Sequence, residues 1–219
     1  LYVFWSLVLG FLPPVILAIM LNETVHFKGF FKFSIYFPAL VPTIAVALIW
    51  YFIYQPGEGG LLNMLLGKFG IPPNTWLQNS KQTIPLIVAS MTWKGFGATT
   101  VMYYAALQGV NQELYEAAKI DGAGTLRRIW NIAISQIYPI MMLFLVKQVI
   151  GIFQVMIEPM TMTGGGPNNA SMSLALQGYN YAFQYFQPQK ALALGVVTFL
   201  FLLVLTVLYF KVDKKLESN

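Results

Sequence analysis

The stretch Glu113-Leu114-Tyr115-Glu116-Ala117-Ala118-Lys119-Ile120-Asp121-Gly122-Ala123-Gly124 is the most polar part of an otherwise apolar chain. Glu113 to Lys119 reads as a short helix. Gly122 stops it, because glycine accepts the left-handed turn that ends a helix and sets the angle to the next piece. Leu114, Ala117 and Ala118 share one face, and two of the three are small, so another surface can approach closely. A second helix follows, with Leu126, Ile129, Trp130 and Ala133 on one side and Arg127, Arg128 and Asn131 on the other. That spacing describes an amphipathic helix at an interface. The segment 108–139 is therefore a helix–turn–helix, either a docking platform for a partner or a membrane-surface loop without one.

The flanking sequence is of a different kind. The chain has 219 residues, 57% hydrophobic and 10% charged, against roughly 45–50% apolar and about 25% charged in soluble domains. A soluble fold of this length needs a charged surface that so few Asp, Glu, Lys and Arg residues cannot supply. An integral membrane protein is the reading that remains. The absence of cysteine excludes disulfide scaffolds, thiolate metal sites and cysteine nucleophiles, without fixing the compartment. The net charge of +5 comes from basic residues scattered among apolar runs, which form no nucleic-acid stripe.

A membrane-crossing helix needs about 20 mostly apolar residues. Five stretches qualify, at about 1–21, 33–55, 84–107, 140–160 and 191–210, the third interrupted by Lys94 and the fourth by Lys147. With the C-terminus inside, the inner segments hold Lys28, Lys32, Lys119, Arg127, Arg128, Lys211, Lys214 and Lys215. The outer ones hold only Lys68, Lys81 and Lys190, so the positive-inside bias favours this orientation. Residues 1–212 form the membrane domain and 213–219 a short, frayed cytoplasmic tail. Tyr51, Tyr54, Tyr103, Tyr104 and Tyr209 fall near span ends, where an interfacial belt is expected. The chain opens on Leu inside apolar sequence with its N-terminus outside, so an upstream span is expected to be missing. Pro13, Pro14, Pro38, Pro42, Pro85, Pro139 and Pro159 lie in or beside the spans and predict kinked helices.

Glu116-Ala117-Ala118, Gly122 and Ile132, at their spacing, resemble the EAA loop of permease subunits of ABC importers. Residues 113–123 look like the sugar-transporting branch. Phe37-Pro38-Ala39-Leu40-Val41-Pro42-Thr43 is similar to its Pro-rich signature, Trp93-Lys94-Gly95-Phe96 to its Trp-x-Gly motif, and Thr163-Gly164-Gly165-Gly166-Pro167 to its outer Thr-x-Gly-Gly-Pro loop. That last loop favours the type of the larger membrane subunit of the maltose transporter. Two departures stand out. Asn111 replaces the usual proline before the EAA helix. Ile132-Ala133-Ile134-Ser135 replaces Ile-x-Leu-Pro, with the next proline at Pro139.

The resemblance implies an all-α polytopic bundle of the MetI-like permease type in the cell membrane of a prokaryote. It implies a second permease subunit, two ATP-binding subunits, an extracytoplasmic solute-binding protein and a sugar or oligosaccharide substrate, in a lipid membrane and without nucleic acid. No Gly-x-x-x-x-Gly-Lys-Ser/Thr sequence cradles phosphates here, so ATP and Mg belong to the partner ATPase and this chain needs no cofactor. Coupling falls to Glu116, Ala117, Ala118 and Gly122, with Glu113 and Asp121 at the rim. Gly164, Gly165, Gly166 and Pro167 make a flexible contact with the binding protein.

For the pathway the resemblance points to Thr43, Lys94, Gly95 and Gln148, with Gln154 a further polar candidate. Trp93 either stacks on a sugar ring or packs. Lys94 lies about ten residues into its span, roughly 15 Å deep, too deep to snorkel, and so faces a lumen or another subunit. Lys147 is about seven residues from the inner boundary, roughly 10 Å, where snorkelling is the better reading. His26 and Glu158 are isolated, and no catalytic or metal-binding set emerges. A permease for peptides or amino acids is the alternative within transport. An ion-coupled carrier or a non-transporting scaffold are the alternatives outside it.

Overall fold

A computed structural model describes residues 1–23 and 27–217. His26 lies outside the described residues, as do Ser218 and Asn219. The described chain is a helical bundle without strands. α1 (Tyr2–Gly10) and α2 (Leu12–Glu23) run on as one apolar helix of 22 residues. Pro13 and Pro14 fall inside this helix, where they cannot donate to the carbonyls of Leu9 and Gly10.

The second predicted span is two helices, not one. α3 (Lys28–Leu40) and α4 (Thr43–Ile53) meet at 94°. The cause is local: Pro42 cannot donate to Pro38, and a residue before proline avoids the helical region. Val41 accordingly takes φ −74°, ψ 132° and Pro42 φ −54°, ψ 140°.

After α5 (Leu61–Gly67) and a 3₁₀ turn (Trp76–Gln78), α6 (Thr83–Gln108) forms the centre of the bundle. Its 26 residues form one helix over the stretch expected as the third span, although it is not among the described helices that qualify as spans by length and apolar composition. It is the most enclosed of the long helices, packed by α1, α2, α3, α4 and α9. The enclosed hydroxyls are satisfied within the helix: Ser90 donates to Ile87 O at 2.6 Å and Thr100 to Phe96 O at 2.7 Å. At one end Tyr103, Tyr104 and Leu107 pack on Val15, Ala18 and Leu21 of α2 and on Ala133, Ile137 and Met141 further along. At the other, Ile87 joins Ala47, Tyr54, Leu77 and Met162. Tyr54, Tyr103 and Tyr104 therefore belong to the core and not to an interfacial belt.

α7 (Gln112–Ile120) is followed by α8 (Thr125–Arg128), a π-helical stretch (Ile129–Ile134) and α9 (Ser135–Phe153). The last three are one helix of 29 residues. The second loop helix and the fourth span are thus continuous, and that span ends at Phe153, not near 160. The wide π turn lies just ahead of Pro139, which cannot donate to Ser135.

α10 (Ile157–Thr163) is separate, because Pro159 has no N–H for the carbonyl of Val155. Ser173 Oγ donates to that carbonyl instead, at 2.5 Å. α11 (Leu174–Tyr179) runs into a π turn (Asn180–Gln184), and α12 (Pro188–Glu217) closes the chain. The helix extends through Glu217. By length and composition, Tyr2–Glu23, Thr125–Phe153 and Pro188–Lys211 can each cross a membrane, and the bent α3–α4 pair makes a fourth.

Candidate functional site

Three places concentrate chemistry, and the first is the α7 turn. Asn111 stands where the sequence lacks the expected proline, and it serves as the N-cap. Its side chain accepts from Glu113 N at 3.0 Å while its amide donates to Glu113 Oε2 at 3.1 Å. Such a cap is worth about 1 kcal/mol. At the other end Gly122 takes φ +74°, with Gly122 N bonded to Lys119 O at 3.1 Å and Ala123 N to Ala118 O at 2.8 Å. These two bonds define a Schellman stop, which needs a left-handed residue at this position.

Glu113, Glu116, Ala117 and Asp121 are exposed and Ala118 is half-buried, so the helix presents most of its surface outward. Leu126 and Trp130, 82% and 71% exposed, extend that surface, whereas Ala133 turns into the core. Tyr115 is the inward residue. Its buried hydroxyl has no hydrogen-bond partner, and burial together with Glu23 pushes its pKa up while Arg128 pulls it down.

The second place is a cavity of about 610 Å³ between α1, α6 and α9, with Thr43 of α4 and the start of α10 completing its wall. Thr43, Gly95, Gln148 and Gln154 all border it. Trp93 and Lys94 do not. The lining residues of α6 are Val88, Met91, Thr92, Gly95, Phe96, Thr99 and Tyr103, a helical stripe. At about 100° per residue, positions 93 and 94 turn away from it. Trp93 packs edge-on against Trp50, ring centroids 5.8 Å apart.

Gln148 is committed to the neighbouring helix, its amide donating to Ser6 O at 2.6 Å and Ser6 Oγ at 2.8 Å. Gly10 makes room for this, because a Cβ there would lie 2.8 Å from Gln148 Nε2. Ser6, Gly10, Thr92 and Thr99 escaped the reading of intramembrane polar residues. Their signal was positional: Ser6 and Gly10 are four apart in an apolar helix, and Thr92 and Thr99 share the face of Gly95. Lys147 and Glu158 also border the cavity. Lys147 lies 22 residues from the start of its helix and six before its end at Phe153.

The third place is the loop after α10, which is built rather than flexible. Gly164 and Gly165 take φ +61° and +88°. Thr163 Oγ1 and Ser171 Oγ share a hydrogen at 2.7 Å, Ser171 Oγ donates to Gly166 O at 2.6 Å, and Tyr2 OH donates to Ser171 O at 2.8 Å. Ser171 is fully buried, so the loop is pinned to the start of α1. Gly166 and Pro167 border a smaller depression of about 250 Å³ with Tyr51 and Gln55. Among the described residues no group of His, Asp or Glu is arranged to hold a metal ion.

A broken second helix, a capped surface helix at one end of the bundle, a cavity beside the central helix and a pinned loop at the other end define a transport subunit of the MetI-like permease fold. The chain belongs to the family of binding-protein-dependent transport system inner membrane components, whose model matches residues 10–218. It is therefore a multi-pass membrane protein and a transport subunit rather than an enzyme.

The chain is 32% identical to the arabinooligosaccharides transport system permease of Bacillus subtilis, across 100% of this chain and 70% of that one. It is 32% identical to the trehalose/maltose permease of Thermococcus litoralis, across 90% and 66%. It is 33% identical to the sn-glycerol-3-phosphate permease of Escherichia coli O157:H7, across 92% and 68%. In fold it matches a bacterial ABC transporter that imports the acidic polysaccharide alginate, with a TM-score of 0.89 and 24% identity over 98% of this chain and 76% of that one.

Proposed function

We propose that this chain is one membrane subunit of an ATP-driven carbohydrate importer, forming half of the translocation pathway beside a second permease. The observation that carries this reading is the cavity against α6. Its wall combines aromatic rings, Phe11, Phe96, Tyr103 and Phe144, with the hydroxyls of Ser6, Thr43, Thr92 and Thr99. Rings offer apolar faces to a sugar and hydroxyls offer hydrogen bonds, the mixture a pocket for a small polar solute needs. The names of the relatives, which carry arabinooligosaccharides, trehalose or maltose, and glycerol phosphate, support a carbohydrate over a peptide or amino acid.

In this reading hydrolysis resides in two ATP-binding partner chains, which hold ATP and Mg. Glu113, Glu116, Ala117, Ala118, Asp121 and Gly122 form the surface they grip. The α7 end is cytoplasmic, together with the C-terminus and the tail 213–219, an orientation supported by Lys28, Lys32, Lys119, Arg127 and Arg128 on that side. The pinned loop at 164–167 faces the solute-binding protein as a preformed platform.

Substitution of Ala118 by Cys in the purified complex tests the docking. A short bifunctional thiol reagent is expected to link position 118 to a cysteine placed in the cleft of the ATP-binding subunit. A cysteine at Tyr138, exposed elsewhere on the α9 helix, should give no such product. Equal linkage from both positions contradicts the proposed grip.

A further inference from the structure

The cavity contains a cation that neither the fold nor the coupling scheme uses. Lys147 projects from α9 onto the cavity wall and is itself exposed. Its Nζ lies 5.7 Å from the centroid of Phe144, which borders the same space. Among the described residues Lys147 makes no ion pair. The acid that borders the same cavity, Glu158, makes no ion pair with it.

An exposed ammonium on a cavity wall is free to pair with an anionic occupant, and the pairing strengthens as that occupant displaces water. It also lies on the wall that holds the hydroxyls and rings suited to a sugar. The neighbouring amide of Gln148 is held by Ser6 and does not compete for the same group.

We propose that Lys147 is the specificity-determining residue of the pathway, pairing with an anionic substituent of the saccharide in the cavity, so that the substrate class is acidic or phosphorylated carbohydrate. This rests on the carbohydrate reading above and narrows it. A uronate carboxylate and a phosphate ester share the required chemistry. Substrates carrying each, beside a neutral oligosaccharide of equal length, separate the two sources.

The test is equilibrium binding of an oligouronate, a phosphorylated disaccharide and a neutral oligosaccharide to the purified permease–ATPase complex. The solute-binding protein is omitted so that its own selectivity does not enter. Wild-type complex is expected to bind at least one of the charged ligands about tenfold more tightly than the neutral one, a difference of about 1.4 kcal/mol. Lys147→Met should remove that preference and leave neutral binding within about twofold, and Lys147→Arg should keep it.

Stronger neutral than charged binding by the wild type overturns the inference without any variant being needed. So does Lys147→Met lowering all ligands alike. In both cases neutral saccharide still binds and the carbohydrate reading stands. Failure of every saccharide to bind the wild type overturns that reading and the inference together.

Discussion

Gly97→Ala is expected to lower the thermal stability of the detergent-solubilised complex by several degrees and to reduce uptake at least about tenfold. Gly97 is fully enclosed where α6 crosses α3, and a Cβ there would fall on the carbonyl of Ile35, with Tyr36 Cα only 3.0 Å away. Overpacking costs about 1–3 kcal/mol where side chains can yield. Here the obstacle is backbone, so the two helices have to separate, and the loss should reach at least about 3 kcal/mol. α3 is the helix whose partner α4 carries Thr43 to the cavity, so separation also displaces the wall. Gly95→Ala, two residues earlier, is the control. A Cβ there meets nothing within 4 Å, so stability should stay unchanged while the added methyl narrows the cavity. Dispersity and melting temperature in detergent check both variants. Equal behaviour of the two would contradict the crossing described for α3 and α6.

Gly122→Val should leave the protein inserted and assembled, yet reduce uptake at least about tenfold while ATP hydrolysis continues. Nothing lies within 4 Å of a Cβ at Gly122, so the effect is conformational and not steric. A left-handed backbone costs an ordinary L-residue about 1–2 kcal/mol, and a β-branched one more. Valine is expected to abandon φ +74°, break the bonds from Gly122 N and Ala123 N, and let α7 run on past Asp121. The angle between α7 and the 29-residue helix that starts at Thr125 then changes. In the proposed coupling, that angle is the lever through which closure of the ATP-binding partner reaches the bundle. Gly122→Asn, which tolerates the left-handed region, should retain most of the uptake. The ratio of sugar moved to ATP hydrolysed, measured for Gly, Asn and Val at this position, checks the claim.

The helix of α7, its stop at Gly122 and the single helix of α6 follow from local residue types, which is why they were legible in the sequence. What misled the reading was the use of hydropathy as a ruler for helix length. Arg127, Arg128, Asn131 and Gln136 make 125–139 look like a loop, although nothing in those residues ends a helix. Conversely, the apolar run through 154–160 conceals the break that Pro159 forces by leaving Val155 O without its donor. Pro42 broke the second span more sharply than a kink, because Val41 before it also left the helical region.

The cavity wall was half-visible. Polarity singled out Gln148 and Gln154, and family likeness singled out Thr43 and Gly95. A count of turns along α6 separates Gly95 and Thr92 from Lys94, whose charge had made it the natural choice. Lys147 was set aside as a snorkelling residue, and it borders the cavity. The firmness of the 163–173 loop depends on the hydroxyls of Ser171 and Tyr2, 169 residues apart, a pairing no local pattern announces.

The most direct test is uptake by proteoliposomes that hold this chain with its partner permease and ATP-binding subunits, supplied with the solute-binding protein and labelled oligosaccharide. The account predicts accumulation against a gradient that requires ATP inside, stops when any partner is omitted and is lost with Gly122→Val. Accumulation of an oligopeptide in place of the saccharide, or saccharide uptake independent of ATP, would contradict it.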